Sequence, residues 1–240
     1  MSQEIGQIKA IFRYPVKSMA GVSLDRVDLG WHGLNGDRRF AFRRVADQGG
    51  FPWLSASRLP QLLLYKPIGQ AETDKELPTH VRTPHGAELA LLSDELQNEI
   101  SQRLGSPVQL MQLKHGMFDE APVSIINLAT IRGVEREAER PLEVLRFRPN
   151  IVVESLHAEP FAEDQWVGKT LRFGSGDDGP SVSITLRDLR CVMLNLDPET
   201  AEADPRVMKA AIRLNANHAG VYATVTRTGE LQLGQKIYLV

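Results

Sequence analysis

Short runs of alternating apolar and polar residues, each closed by a turn, recur along this chain and limit it to a β-rich body. Residues 8–16 (IKAIFRYPV) and 22–29 (VSLDRVDL) alternate in this way, so each can give one face to a core and one to water. Residues 39–45 follow the GLNGD turn at 33–37, and residues 81–83 and 88–92 flank Pro84, His85 and Gly86 as a hairpin. Further strands are expected at 123–126, 148–154, 170–173, 181–186 and 191–194, with 221–227 and 231–240 as a closing hairpin. Many short strands with few helices close most readily into a barrel. The expected fold is therefore mainly β with α, a barrel-like body carrying a few helices.

Three segments break the pattern as helices. Ser93 caps the first, Asp94 and Glu95 occupy its opening turn, Leu96, Ile100 and Leu104 recur every fourth residue, and Gly105 with Pro107 ends it. Asn127 can cap a second, running to about residue 139 before Pro141. Asp204 caps a third, opened by Pro205 and running to about residue 215. The Gly-Ser-Pro break at 105–107 marks a candidate boundary, and no internal repeat is visible.

Charge and cysteine content narrow the function classes. A net charge of −2 over 240 residues does not suit a polybasic nucleic-acid binder. No run approaches the roughly 18 apolar residues of a membrane span, and the first residues lack a signal-peptide core. One cysteine cannot form an internal disulfide, a CxxC zinc site or an iron–sulfur cluster within this chain, and a cytoplasmic protein is the simplest expectation.

Several motifs invite a reading that their context denies. Residues 174–179 (GSGDDG) spell GxGxxG, but a dinucleotide loop must open a helix, whereas here Pro180 and a strand follow. Two acidic residues in it would also repel phosphate, so it reads as a surface turn. The six histidines are scattered, with no HxxxH or HExxH pair. Glu163 and Asp164 are adjacent and would point in different directions.

Cys191 is different. A free cysteine is most often a small buried hydrophobe, yet Arg190 beside it and Arg187 nearby favour a thiolate, and a thiolate is a metal ligand. Anion-binding groups recur elsewhere. Lys17 and Ser18 follow a Tyr-Pro-Val strand end with Gly21 soon after, Arg38 follows the GLNGD turn, and Arg146, Arg148 and Asn150 frame RFRPN. Arg148 can grip a phosphate bidentately, and Asn150 can bond a heterocycle edge. Spacing alone does not show that these groups converge.

YPVKSMAG at 14–21 followed by GLNGDRRFAF resembles the N-terminal β-barrel module that precedes MOSC domains. RFRPNIVV at 146–153, FAEDQW at 161–166, the Arg190–Cys191 pair and the closing GQKIYLV resemble the MOSC domain itself. The order is the family's and the likeness covers nearly the whole chain, similar to bacterial members of the group that includes the mitochondrial amidoxime-reducing component. The resemblance implies an N-terminal module over 1–118 and a MOSC domain over 119–240, with a site shared between them. It implies a molybdenum–molybdopterin cofactor with Cys191 as the metal's protein ligand. Lys17, Ser18, Arg38, Arg148 and Asn150 match positions that hold the phosphate and pterin, Asn127 matches a small polar contact position, and Arg190 neighbours the ligand. Leu189 departs from relatives with a small polar residue there, and no four-cysteine ferredoxin domain follows Val240.

The implied activity is reduction of small N-hydroxylated or N-oxygenated compounds, with electrons from a separate ferredoxin-, flavodoxin- or cytochrome-type donor. His32, His157, His218 and Asp188 are the candidate proton donors. Two rivals keep the fold: a non-catalytic carrier of the cofactor, and a sulfur carrier holding a persulfide on Cys191 without metal.

Overall fold

The structure is a computed structural model that describes residues 2–69 and 77–240. The first half contains strands β1 (Gln3–Arg13), β2 (Val22–Leu24), β3 (Arg26–Gly30), β4 (Gly33–Leu34), β5 (Phe40–Arg44), β6 (Lys66–Ile68), β7 (His80–Arg82) and β8 (Glu88–Ala90), then helix α1 (Asp94–Leu104) and β9 (Val108–Gln112). The second half contains β10 (Val123–Asn127), α2 (Leu128–Ala138), β11 (Ile151–Ser155), β12 (Thr170–Phe173), β13 (Ser181–Leu189), α3 (Pro205–Asn215), β14 (His218–Arg227), β15 (Gly229–Gln232) and β16 (Lys236–Leu239). Among the described residues the chain is mainly β with three α-helices, as its alternations predict.

Seven strands form a closed barrel in the order β11–β10–β14–β13–β12–β16–β1, and β1 returns to β11 to complete it. Closure pairs every strand edge, which removes the exposed ladder an open sheet must protect. The only parallel pair of the barrel is β10–β11. A parallel pair needs a crossover rather than a hairpin, and α2 supplies it. Inward residues such as Ile8, Ile11, Ile125, Val153, Phe173 and Val221 fill the barrel. A small sheet, β15–β3–β4, adds Val27, Leu29, Leu34 and Leu231 to the same core.

Two larger cores lie outside it, beside a small cluster of Ala56, Leu63 and Leu196. Helices α2 and α3 cover outward residues of the barrel, Ile126, Val152 and Ala219, with Ile131, Val134, Val207 and Ala210. The β5–β9 pair, the β6–β7–β8 sheet and α1 enclose a third core around Phe40, Phe42, Leu62, Tyr65, Leu96 and Ile100. Side-chain oxygens of Ser93, Asn127 and Asp204 accept from Leu96, Ala129 and Arg206 N–H groups, capping the three helices.

Long-range pairing corrects several local expectations. The run at 22–29 divides at Asp25, because β2 pairs with β1 whereas β3 pairs with β15. The closing hairpin does not form: β14 pairs with β10 and β13, and β16 pairs with β1 and β12. The strand expected at 191–194 is a 3-10 turn, Val192–Asn195, with Cys191 as its cap. β1, from the first residues, stands between β11 and β16, so strands from both sides of residue 118 build one barrel. Residues 174–179 are the expected exposed turn.

Candidate cofactor site

The turn 33–37 sets the first wall. Gly36 takes a left-handed φ of 81°, which a glycine adopts without strain, and Arg38 follows at 48°. Asp37 is buried behind it: its Oδ1 accepts from the Tyr14 N–H at 2.7 Å, and its Oδ2 accepts from Arg38 Nη1 and, at 3.1 Å, from Asn150 Nδ2. Asn150 uses its remaining groups on Phe12 O, Ser124 N–H and Arg38. Asn150, expected as a ligand contact, does not itself line the cleft; it is buried behind Arg38 and holds it.

Tyr14 is fully buried and lies under two cations. The Arg38 guanidinium carbon is 5.1 Å and that of Arg148 4.3 Å from its ring centre. Gly21 makes this packing possible, since a Cβ there would meet Tyr14 Cε1 at 2.5 Å. Arg148, also left-handed at φ 49°, donates to Met19 O at 2.9 Å. Burial, aided by nearby Arg38, pushes its guanidinium down to about 10. Lys17 is nearly buried and donates to Asp119 Oδ1 at 2.7 Å. Burial pushes the Lys17 ammonium below its usual range, with the Asp119 charge opposing. Burial works against the Asp119 carboxylate too, but Lys17, Arg38 and Arg148 outweigh it and hold its carboxyl low.

The second wall comes from the barrel rim. Ser124 on β10 lies opposite Tyr222 on β14, and β13 shifts register between Arg187 and Leu189, where Asp188 turns inward. Asp188 is buried and accepts from Arg190 Nη1, while Arg190 Nη2 donates to Phe147 O at 2.6 Å. Burial raises the Asp188 carboxyl, against the pull of Arg190.

These walls enclose a cleft of about 310 Å³ whose lining includes Lys17, Ser18, Arg38, Arg148, Arg190 and Cys191. Cys191 is exposed at its rim, so it is not the buried hydrophobe of the bland expectation. Of the lining residues, Lys17, Arg38, Arg146, Arg148 and Arg190 are cationic and Asp119, Glu120 and Asp188 acidic, so the cleft favours an anion. Arg146 is spent within the protein, on Asn195 O at 2.8 Å and Asp197 Oδ2 at 2.7 Å.

Asn127, for which the resemblance implies a cofactor contact, does not line this cleft. Only the start of β10, at Ser124, reaches the cleft; Asn127 at its far end accepts from Ala129 N–H and Ser155 Oγ and donates to Glu159 O. His32, His157 and His218 do not line the cleft, whereas Asp188 does. His32 instead lies against His115, with ring centres 4.0 Å apart and the planes tilted by 43°. Glu163 and Asp164 diverge: Glu163 is buried against Thr130, and Asp164 pairs with Arg187. Tyr222, Ser124 and Asp119 were not legible as lining residues, because only the strand register and the 113–122 connection bring them there.

Residues 112–238 match the MOSC domain, and residues 5–120 match the MOSC N-terminal beta barrel domain. The chain belongs to the MOSC-domain family. MOSC domains are associated with binding of the molybdenum cofactor. This MOSC chain is 23% identical to the mitochondrial amidoxime reducing component 2 of Bos taurus over 98% of its own length and 84% of that protein. It is 22% identical to the mitochondrial amidoxime-reducing component 1 of Homo sapiens over 99% and 84%. The YUAD protein of Bacillus subtilis shares its fold, with a TM-score of 0.55 at 14% identity over 100% of this chain and 98% of that one.

The donor set of the cleft fits a phosphate-bearing metal cofactor. It joins one accessible sulfur to cations that suit a phosphate. Among the described residues no group of three His, Cys, Asp or Glu side chains could hold a metal. A metal held here by Cys191 would draw its other ligands from its own organic carrier. No helix among the described residues is long and apolar enough to cross a membrane.

Proposed function

We propose that this chain binds molybdenum–molybdopterin in the cleft and reduces small N-oxygenated compounds with electrons from a separate protein donor of ferredoxin, flavodoxin or cytochrome type. The observation that carries the reading is the meeting of Cys191 with Lys17, Ser18, Arg38, Arg148 and Arg190 in one cleft. When bound, the cofactor supplies the two-electron chemistry that removes oxygen from nitrogen. The chain's own work is binding, orientation and charge. Cys191 is the metal's protein ligand. Lys17 and Arg148 neutralise the phosphate, Arg38 and Ser18 hold the pterin side, and Asn150 with Asp37 fixes Arg38. Arg190 sets the charge beside the thiolate. Residues 1–118 and 119–240 act as module and MOSC domain of one unit, since the cleft draws on both. An exposed single thiol suits the reducing cytoplasm.

The test is elemental and kinetic. Protein from a molybdenum-replete host carries near-stoichiometric molybdenum and pterin, and Cys191→Ala loses the molybdenum. Benzamidoxime is then reduced with a chemical electron donor. Absence of both molybdenum and pterin in the wild type refutes the reading; loaded protein that never turns over is a carrier instead. Cyanide-releasable sulfur without molybdenum would identify the persulfide carrier.

A further inference from the structure

The last rung of the β13–β14 ladder pairs Leu189 with His218. One step on, Arg190 faces Asn217, and the pair keeps both hydrogen bonds of an antiparallel rung by unusual means. Arg190 N–H donates to Asn217 O at 2.9 Å. The return bond should come from the Asn217 N–H, but that group is already donated to Ala211 O at the end of α3, at 3.1 Å. The side chain replaces it: Asn217 Nδ2 donates to Arg190 O at 2.6 Å. Only the nitrogen end of the amide can donate to a carbonyl, so the orientation of the amide is dictated by its partner.

The position makes two demands. Its backbone is left-handed, with φ of 67° after Ala216 at 47°, and its side chain must carry a donor that reaches one residue across. Asparagine meets both, since it tolerates the left-handed region and bears a short amide. The result is a clamp on the peptide that leads into Cys191. The Arg190 side chain is fastened as well, to Asp188 and Phe147 O. Beyond the cysteine, Arg146 holds Asn195 O and Asp197. The thiol therefore sits on a short turn tied down on both sides.

We propose that Asn217 is a positioning residue for the Cys191 thiol: its side-chain amide completes the rung with Arg190 and so sets where the sulfur stands in the cleft. The inference builds on Cys191 as the metal's ligand, but its geometry belongs to the chain alone. Partners that orient a metal ligand from behind commonly cost 10- to 100-fold in metal affinity when removed.

The test uses Asn217→Gly, which keeps the left-handed backbone and deletes the amide, and Asn217→Asp, which keeps the size but turns an oxygen toward the Arg190 carbonyl. Cys191 is the single cysteine, so alkylation of the apo chain by N-ethylmaleimide reports on it alone. Both variants are expected to keep a cooperative thermal transition and to alkylate faster than wild type, because the freed turn exposes the sulfur more often. In the loaded protein they are expected to lose molybdenum on dialysis about tenfold faster. Wild-type alkylation rates in both folded variants overturn the proposal, as does unaltered molybdenum retention in them. If one variant fails to fold, the other decides. A wild type that takes up no molybdenum refutes the cofactor reading, and the alkylation arm still decides the role of Asn217.

Discussion

The Arg148 guanidinium lies 4.3 Å from the centre of the Tyr14 ring, and the Arg38 guanidinium lies 5.1 Å from the same centre. One buried aromatic thus carries two of the cations that line the cleft. Because the ring face is negative, it offsets part of the repulsion between two like charges held close together. Among the described residues the Tyr14 hydroxyl has no hydrogen-bond partner, and it is the ring that meets the two cations. Tyr14→Phe is expected to keep full cofactor content and stability. Tyr14→Leu should lower stability by about 1–2 kcal/mol through lost cation–π contact and packing. Urea unfolding and molybdenum content of both variants check this, and a damaged Tyr14→Phe would contradict it.

Gly21 tests the same packing from the other side. Its added Cβ would fall 2.5 Å from Tyr14 Cε1. Gly21→Ala should cost about 1–3 kcal/mol, the usual range for overpacking, and Gly21→Ala combined with Tyr14→Leu should cost less than the two changes summed. A double-mutant cycle by urea unfolding measures that coupling.

Lys17 meets Asp119 where a bound anion would compete for it. Asp119→Asn is expected to tighten binding of inorganic phosphate to the apo chain roughly two- to fivefold, the scale of a half-exposed ion pair, and Lys17→Gln to weaken it. Titration calorimetry reads both. The native pair also has a pH sign. The Asp119 carboxyl is held below its ordinary 3.8, so its contribution is present above that value and is lost as pH falls.

Glu163 carries the opposite sign. It is fully buried, accepts from Thr130 Oγ1 at 2.8 Å and from the Asn127 N–H at 3.3 Å, and burial pushes its carboxyl up to about 7 from 4.5. A raised folded-state value binds protons that the unfolded chain releases. Its contribution is therefore complete below about pH 4.5 and is lost as pH rises through about 7, on the order of 3 kcal/mol in all. Glu163→Gln cannot ionise, so its Tm should gain on the wild type across that window. Parallel thermal profiles for the two chains would sink the assignment.

What was legible in the sequence was mostly local. Ser93, Asn127 and Asp204 cap helices because a cap is satisfied within three residues of itself. The strand alternations were legible because each barrel strand has one wet face or one distinct cover. Partner choice was not, since β1 finds β11 and β16 across most of the chain. For the site, cationic side chains in memorable motifs could be named in advance, and Lys17, Ser18, Arg38, Arg148, Arg190 and Cys191 do share a cleft. Asn127 answered to its local capping role and stayed away. Tyr222 is placed by the ladders of β14 with β10 and β13, and Asn217 by its bonds to Ala211 and Arg190, none of which their neighbours in sequence announce.

The place of β1 in the barrel has a consequence for how this protein is made. Residues 3–7 are made long before their partner strand, β16, which ends at Leu239. The ring of strands that supports Ser124, Asp188 and Tyr222 cannot close until β16 has been made. Contacts so far apart in sequence form slowly and leave edges open meanwhile. Any fragment that stops short of β16 therefore lacks the closed ring that stands behind the cleft, whatever length of chain precedes the cut.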